Sequence, residues 1–281
     1  MSTSDARQRV MNFIHGRPQA ALPIWLINPM EWSAIDHLAG QPPGSYQAAP
    51  ERVYHLMLQR VGCCMVDQWI PRNPLSMGVR GFEGERPRTA TTGADSVVVD
   101  GMAIHEPEDV AAHLEKVVLP RLAATLATYD PAPAVAEFLR HEAQVQAILG
   151  PSMVKVPYGC FRFPGFAYGT YGYGPYFMAF ALYPDLMEKH FQLQADLAVR
   201  HNQAMAQALM AAGVPPLVRL DHDMADSRGT LVRVTQLDEL WLPHFTRAIA
   251  PALAAGFKLI WHCDGNLMAM VPRLLAAGLH G

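Results

Sequence analysis

The sequence predicts an α/β fold in which parallel strands alternate with helices to form a (β/α) barrel of the TIM type. Five short runs of apolar residues alternate with helical segments of ten residues or more, which is typical of parallel βαβ units. The runs are continuously apolar, as strands covered on both faces are. Polar side chains follow directly after each run, where a barrel builds its active site.

The order of the elements supports this prediction. The predicted strands are Leu22–Asn28, Cys63–Trp69, Met153–Gly159, Leu217–Asp223 and 257–265, with Ser96–Gly101 as a hairpin arm. Helices are predicted over Ala6–His15, Pro50–Val61, 107–122, Pro133–Leu149, Pro184–Ala212, Gln236–Ala255 and Arg273–Ala277. Because a closed barrel has eight strands, we expect one barrel domain over 1–281, truncated after the fifth strand and its helix. Its open strand edges predict self-association.

Composition excludes several classes of function. The formal net charge is −3 and basic residues do not cluster, which argues against a nucleic-acid partner. The sequence has no signal-peptide pattern and no run of eighteen apolar residues, so we expect a cytoplasmic protein without a membrane partner. The four cysteines show no CxxC spacing, and Cys63, Cys64 and Cys160 are interpreted as core thiols.

The stretch LIWHCDGN ends the fifth predicted strand on reactive side chains. Strand alternation places His262 and Asp264 on one face and Cys263 on the other. We expect His262 and Asp264 to lie close to Asp221 and Asp223 at the end of the fourth strand. Three carboxylates and an imidazole suit a hard or borderline divalent cation such as zinc.

Further polar residues end the other predicted strands: Asn28, Asp67 and Tyr158. Each candidate also has a structural interpretation, because strand-end carboxylates and amides often cap turns and helices. The aromatic segment Tyr158–Phe177 is predicted as a loop. It is either a glycine-rich excursion that covers the fold or a lid whose rings cover a flat or apolar ligand.

Five segments in succession resemble one family across nearly the whole chain: RVMNFIHGRPQAALPIW, VVVDGMAIHEPEDVAAHLEKVVLPRL, LYPDLMEKHF, LVRLDHDMADSRGTLV and LPHFTRAIAPALAAGFKLIWHCDGNLMAMVPRLLAAGLHG. This family is the uroporphyrinogen decarboxylase superfamily. It also contains methyltransferases that move methyl groups between corrinoid proteins and thiols or folates. The resemblance implies a barrel that continues beyond residue 281.

The resemblance also implies roles for particular positions. In CCMVDQWIPRNPLSMGV, Asp67 falls on the catalytic aspartate of the decarboxylase. Asn28 and Trp32 replace two arginines that bind the carboxylates of the porphyrinogen, which disfavours decarboxylation of that substrate. The zinc motif His-x-Cys-Gly of the thiol-directed methyltransferases aligns with His262 and Gly265, and Asp264 takes the place of its cysteine. A thiol acceptor is therefore disfavoured, whereas a metal is not.

The preferred interpretation is a methyltransferase of the corrinoid-linked type. A partner protein would supply the corrinoid, and a small molecule would donate or accept the methyl group. Asp67, His262 and Asp264 are the predicted catalytic residues, and Asn28, Tyr158, Asp221 and Asp223 are predicted to bind substrate. His262 and Asp264 are the predicted ligands of a divalent metal. The alternatives are a tetrapyrrole decarboxylase and a non-catalytic truncated barrel that binds a partner or a small molecule.

Overall fold

The computed structural model describes residues 3–72 and 97–281. Helices account for 56% of the described residues, and the strands form only small sheets. The strands are β1 (Ile24–Trp25), β2 (Cys63–Val66), β3 (Val97–Val99), β4 (Met102–Ile104), β5 (Val154–Lys155), β6 (Leu217–Asp221) and β7 (Lys258–His262).

Thirteen α-helices are assigned within the described residues. They are α1 (Thr3–Ile14), α2 (Trp32–Ala39), α3 (Ser45–Ala48), α4 (Pro50–Arg60), α5 (Pro107–His113), α6 (Leu119–Thr128), α7 (Ala132–Leu149), α8 (Tyr168–Tyr171), α9 (Tyr173–Leu182), α10 (Pro184–Ala211), α11 (Val234–Gln236), α12 (Leu242–Ala254) and α13 (Val271–Ala276). Two π-helical turns, Leu114–Val118 and Leu237–Trp241, join α5 to α6 and α11 to α12. None of the described helices combines the length and the apolar character needed to cross a bilayer.

The predicted barrel is wrong. A strand does form within each of the five predicted strand segments, but the pairing divides them between two small sheets. One is a parallel sheet in the order β1-β2-β5, and the other contains only β6 and β7. The described part of the chain therefore has no continuous ring of paired strands.

Prolines give a physical reason for the short strands. Pro23 precedes β1 and Pro29 follows it closely, Pro157 comes two residues after β5, and Pro216 immediately precedes β6. Proline has no amide hydrogen to donate to a neighbouring strand. Strands β1 and β5, which these prolines bound, are consequently only two residues long.

The predicted hairpin is confirmed where the structure describes it. Strands β3 and β4 pair antiparallel, with Val97 opposite Ile104 and Val99 opposite Met102. Asp100 and Gly101 form the turn with φ of +50° and +81°, the conformation that a two-residue hairpin turn requires. Ser96 and residues 73–79 of the resembling segment lie outside the described residues.

The chain divides into two compact units. The described part of the first comprises 3–72, 136–158 and 213–218. Its core surrounds the parallel sheet, and residues from α2, α4 and α7 supply most of the buried side chains: Ile35, Ala39, Tyr46, Val53, Tyr54, Met57, Leu58, Cys63, Val66, Val145, Leu149 and Met153. Burial of this apolar surface stabilises the unit.

The second unit comprises, within the described residues, 97–135, 159–212 and 219–281. The helices α10 and α12 pack along each other. Aromatic rings fill much of this unit: Trp241 stacks on Phe245 at a centroid distance of 4.5 Å, and Trp261 meets Phe245 edge-on at 5.3 Å. Strand β7, which carries Trp261 and His262, therefore packs on these aromatic rings.

Candidate functional site

The ends of β6 and β7 bring two reactive segments side by side. The backbone amide of His222 donates a hydrogen bond to the carbonyl oxygen of His262, with 3.2 Å between nitrogen and oxygen. Asp221 and Asp223 flank His222, and Asp264 lies two residues after His262. Asp221, Asp223 and His262 lie close together, as predicted, and Asp264 lies at the exposed edge of this group.

Asp221 is held by two basic side chains. Its Oδ1 atom lies 3.0 Å from Nδ1 of His262. Its Oδ2 atom accepts a hydrogen bond from the guanidinium of Arg219, whose side chain is only 4% exposed. Both carboxylate oxygens of Asp221 are therefore engaged, and the position of the His262 ring is fixed through Asp221.

Asp223 and Asp264 are linked through the backbone. The amide of Asp264 donates to Oδ1 of Asp223 with a nitrogen–oxygen distance of 2.7 Å. The side chain of Asp264 is 85% exposed, and its Oδ1 atom lies 3.8 Å from Nε2 of His262. The second nitrogen of the imidazole thus faces a carboxylate that solvent reaches freely.

The geometry can accommodate a cation. One potential ligand atom from each of Asp221, Asp223 and His262 lies within 4.8 Å of the other two. Carboxylate oxygens with one imidazole nitrogen suit zinc or another borderline divalent ion. The predicted metal ligands were His262 and Asp264, with Asp221 and Asp223 as substrate-binding residues. In the structure Asp221 and Asp223 join His262 in the tightest group, and Asp264 stands at its exposed edge.

Gly265 closes the loop that follows β7. Its φ is +100°, and a Cβ atom there would lie 2.7 Å from the carbonyl oxygen of Asp226. The same carbonyl accepts a hydrogen bond from the amide of Asn266 at 2.6 Å, so the two backbone segments are held together. Only glycine fits this close approach without strain, and it keeps Asp264 beside Asp223.

His222 faces away from the carboxylates, as strand alternation predicts. Its Nε2 atom accepts a hydrogen bond from the backbone amide of Phe166 at 2.9 Å. Burial lowers the pKa of His222, with the charges of Asp223 and Asp221 acting in the opposite direction. A half-buried imidazole that accepts a hydrogen bond from a backbone amide has a structural role, and His222 anchors the segment around Phe166 to the end of β6.

The aromatic segment after β5 is partly helical rather than an open loop, because α8 and the start of α9 lie within Tyr158–Phe177. The ring of Tyr168 stacks on that of Tyr173 with centroids 4.7 Å apart, and its hydroxyl donates to the carbonyl oxygen of Asp223 at 3.1 Å. Burial and the nearby Tyr173 and Asp223 raise the pKa of Tyr168 to about 12. Tyr168 is therefore a protonated donor that braces the backbone of the acidic cluster.

Trp261 lies where alternation predicts, on the helix-packed face of β7. Its ring contacts those of Phe163, Phe245 and Trp241 at centroid distances of 5.4, 5.3 and 6.0 Å. This packing fixes the face that His262 presents at the next position along the strand.

The remaining predicted residues belong to the first unit. Asp67 is buried and accepts a hydrogen bond from the indole Nε1 of Trp25 at 3.2 Å. Asn28 adopts φ +48°, and its buried Oδ1 atom has no hydrogen-bond partner among the described residues. Tyr158 is half-buried two residues after Val156, whose amide donates to the carbonyl of Val66. Asn28, Asp67 and Tyr158 thus follow the ends of three parallel neighbouring strands.

Arg219 was not among the predicted site residues. It lies in LVRLDHD and was interpreted as part of an apolar strand. A signal was present, because Arg219 and Asp221 are two residues apart and so share one face of β6. A charged residue within an apolar strand indicates a paired partner.

No protein-family model, curated protein or solved structure matches this chain.

Proposed function

We propose that the β6–β7 cluster binds a divalent cation and that the protein is a methyltransferase of the corrinoid-linked type. It would move a methyl group between a cobalamin-bearing protein and a small acceptor. The observation that carries the proposal is the approach of Asp221, Asp223 and His262, whose potential ligand atoms lie within 4.8 Å of one another.

Charge supports a cation at this position. Asp221, Asp223 and Asp264 bring three negative charges, and the guanidinium of Arg219 offsets one of them. Clustered carboxylates repel one another unless a proton or a cation lies between them. A divalent ion would balance the remaining charge and would hold the heteroatom of the acceptor, lowering the pKa of its proton.

The sequence resemblance supports the reaction type. The segments LVRLDHDMADSRGTLV and FKLIWHCDGN contain β6, β7 and the whole cluster. They resemble the part of the corrinoid-linked methyltransferases that includes their zinc motif. Asp264 replaces the motif's cysteine, and a carboxylate makes a harder site than a thiolate does. We therefore propose an acceptor that is not a thiol.

Methyl transfer from methylcobalamin tests the proposal. The purified protein is incubated with methylcobalamin and a panel of small oxygen and nitrogen acceptors, with zinc or manganese added or with a chelator. We expect metal-dependent loss of the methylcobalamin absorbance with at least one acceptor. His262→Ala should abolish it, and exposed His15→Ala is the matched control. Metal-independent transfer that survives in His262→Ala would contradict the proposed site.

A further inference from the structure

We infer that Asp221 is not a ligand of the cation but the residue that positions His262, with Arg219 holding Asp221 in turn. The ligand face of the site is then Nε2 of His262 together with Asp223, with Asp264 within reach. This inference rests on the proposed cation site. Proximity alone would make Asp221, Asp223 and His262 equally good candidates for ligands, whereas the inference makes Asp221 a positioning residue.

The hydrogen bonds of Asp221 disfavour this residue as a ligand of the cation. Oδ1 lies 3.0 Å from Nδ1 of His262, and Oδ2 accepts from Nη1 of Arg219. A cation bound to either oxygen would have to displace or share one of these contacts. Hydrogen bonds to an ionised carboxylate are about twice as strong as bonds between neutral groups, so losing either of these contacts is costly.

Arg219 adds an electrostatic reason. Zinc binds a carboxylate oxygen at about 2.0–2.2 Å, which would place it beside the guanidinium that already contacts Asp221. With 4% of its side chain exposed, Arg219 has little access to solvent into which it could move away. Two positive groups on one carboxylate repel each other strongly in such a weakly screened environment. A cation bound to Nε2, on the other side of the imidazole ring, would lie away from Arg219 and would avoid that repulsion.

The contact with Asp221 also determines which nitrogen of His262 is free to bind a cation. A carboxylate only accepts hydrogen bonds, so the contact with Asp221 requires the proton on Nδ1. The lone pair of the neutral ring is then on Nε2. A carboxylate that holds one nitrogen of a histidine while the other nitrogen binds metal is a common arrangement in metal sites.

Asp264 lies on that open side. Its Oδ1 atom is 3.8 Å from Nε2 of His262. Two ligand atoms that share a tetrahedral zinc ion at ordinary bond lengths are about 3.4 Å apart, so a small rotation of the exposed Asp264 side chain suffices. Asp223 is held beside it by the amide of Asp264 at 2.7 Å.

Cobalt substitution tests the assignment, because Co²⁺ absorption reports the ligands of the ion directly. The parent, Asp221→Asn and Asp223→Asn are titrated with Co²⁺, and circular dichroism checks their folding. For Asp221→Asn we expect the parent's band positions with an affinity roughly 10–100-fold lower, as for other residues that orient a ligand. For Asp223→Asn we expect shifted bands or no binding. The inference is overturned if Asp221→Asn shifts the bands or loses binding while folded.

A second measurement keeps the inference testable when a variant does not fold or the parent binds no Co²⁺. The ¹⁵N shifts of the metal-free parent at pH 8, assigned by comparison with His262→Gln, report which ring nitrogen carries the proton. We expect the Nδ1–H form of His262. The Nε2–H form would overturn the inference. A parent that binds no Co²⁺ but shows Nδ1–H would contradict the proposed cation site and leave the positioning of His262 by Asp221 supported.

Discussion

The sulfur of Cys263 accepts a hydrogen bond from the backbone amide of Met224, with 3.3 Å between the two atoms. Its thiol donates to the carbonyl oxygen of Asp264 at 3.2 Å. Burial raises the pKa of Cys263, and the charges of Asp223 and Asp264 raise it further. Cys263 is thus held as a neutral thiol that ties the two loops together, although it stands between His262 and Asp264.

We predict that Cys263→Ser retains the bound metal and the activity. A serine hydroxyl accepts and donates one hydrogen bond each, as the thiol does. His262→Ala and Asp264→Ala should lose activity, because they remove side chains from the ligand face. Metal analysis of the three purified variants beside the parent checks this. If metal disappears only with Cys263→Ser, a zinc thiolate is the correct assignment.

The close approach at Gly265 predicts a local effect on the site. Gly265→Ala adds a Cβ atom 2.7 Å from the carbonyl of Asp226 at φ +100°. The matched control is Gly256→Ala, where φ is +90° and no described atom lies within 4 Å of the added carbon. Positive φ alone costs about 1–3 kcal/mol in each variant. We expect Gly265→Ala to show the larger loss of stability in urea unfolding and a weaker affinity for Co²⁺. Equal effects of the two substitutions would contradict the role given to this contact.

The sequence resemblance to a decarboxylase can be tested by its substrate. Uroporphyrinogen carries many carboxylates, and Asn28 and Trp32 stand where the resemblance expects arginines. Trp32 instead begins α2 and packs against the core of the first unit. We predict no decarboxylation of uroporphyrinogen at ordinary enzyme rates, as followed by chromatography of the porphyrin products. Rapid decarboxylation would restore the tetrapyrrole hypothesis and make Asp67 the residue to mutate first.

The positions of helices and strands were easier to predict from the sequence than the pairing of the strands. Apolar runs such as Leu217–Asp223 led to the correct strands, and the long helix predicted over Pro184–Ala212 forms as α10. The hydrophobic period and the composition of a segment indicate whether it is a helix or a strand, but they do not specify which strand pairs with it. The truncated barrel assumed that the five predicted strands pair in one sheet, whereas they are divided between two. The helix α2 was missed because its first turn is capped by Glu31 rather than by one of the usual capping residues.

The same distinction applies to the candidate site. Alternation along two strands predicted the face on which Asp221, Asp223, His262 and Asp264 lie, and the expected adjacency of the fourth and fifth strands predicted that they would be close together. The spacing of Arg219 and Asp221 places both on one face of β6, but their ion pair also depends on side-chain conformation, which spacing alone does not give. The acidic residues and the histidine at the strand ends were therefore easier to predict than Arg219, the residue that holds Asp221 in place.

Lys155 and Glu142 form a buried ion pair in the first unit. Their side chains are 4% and 7% exposed, and Nζ lies 2.7 Å from Oε1. Burial raises the pKa of Glu142, and the charge of Lys155 opposes that shift. We predict that Lys155→Met destabilises the protein by about 3–5 kcal/mol, because it leaves a buried carboxylate without its cation. Adding Glu142→Leu should recover most of that loss in urea unfolding. A double variant as unstable as the single one would show that packing, not charge, explains the effect.

His190 provides a test of stability against pH. Burial lowers its pKa to about 4 from the ordinary value of 6.5. Its Nε2 atom lies 3.0 Å from the amide nitrogen of Gln194, and its buried Nδ1 atom has no hydrogen-bond partner among the described residues. The folded protein therefore has no acceptor in place for the second proton of a charged ring.

The direction of the pH effect follows from these two pKa values. Between pH 6.5 and about 4 the unfolded chain binds a proton at His190 that the folded chain does not. Stability from this residue is thus complete above pH 6.5 and is lost as the pH falls toward 4. At 1.36 kcal/mol for each pKa unit, the loss between pH 7.5 and pH 5 is about 2 kcal/mol.

We predict that His190→Gln removes this dependence. Glutamine does not titrate, and its carbonyl oxygen can still accept from Gln194. Urea unfolding at pH 7.5 and at pH 5 should show the parent losing about 2 kcal/mol more than His190→Gln over that interval. The exposed His15→Gln is the control and should follow the parent. Parallel losses in the parent and His190→Gln would mean that His190 titrates normally in the folded protein, and that solvent or another group reaches its ring.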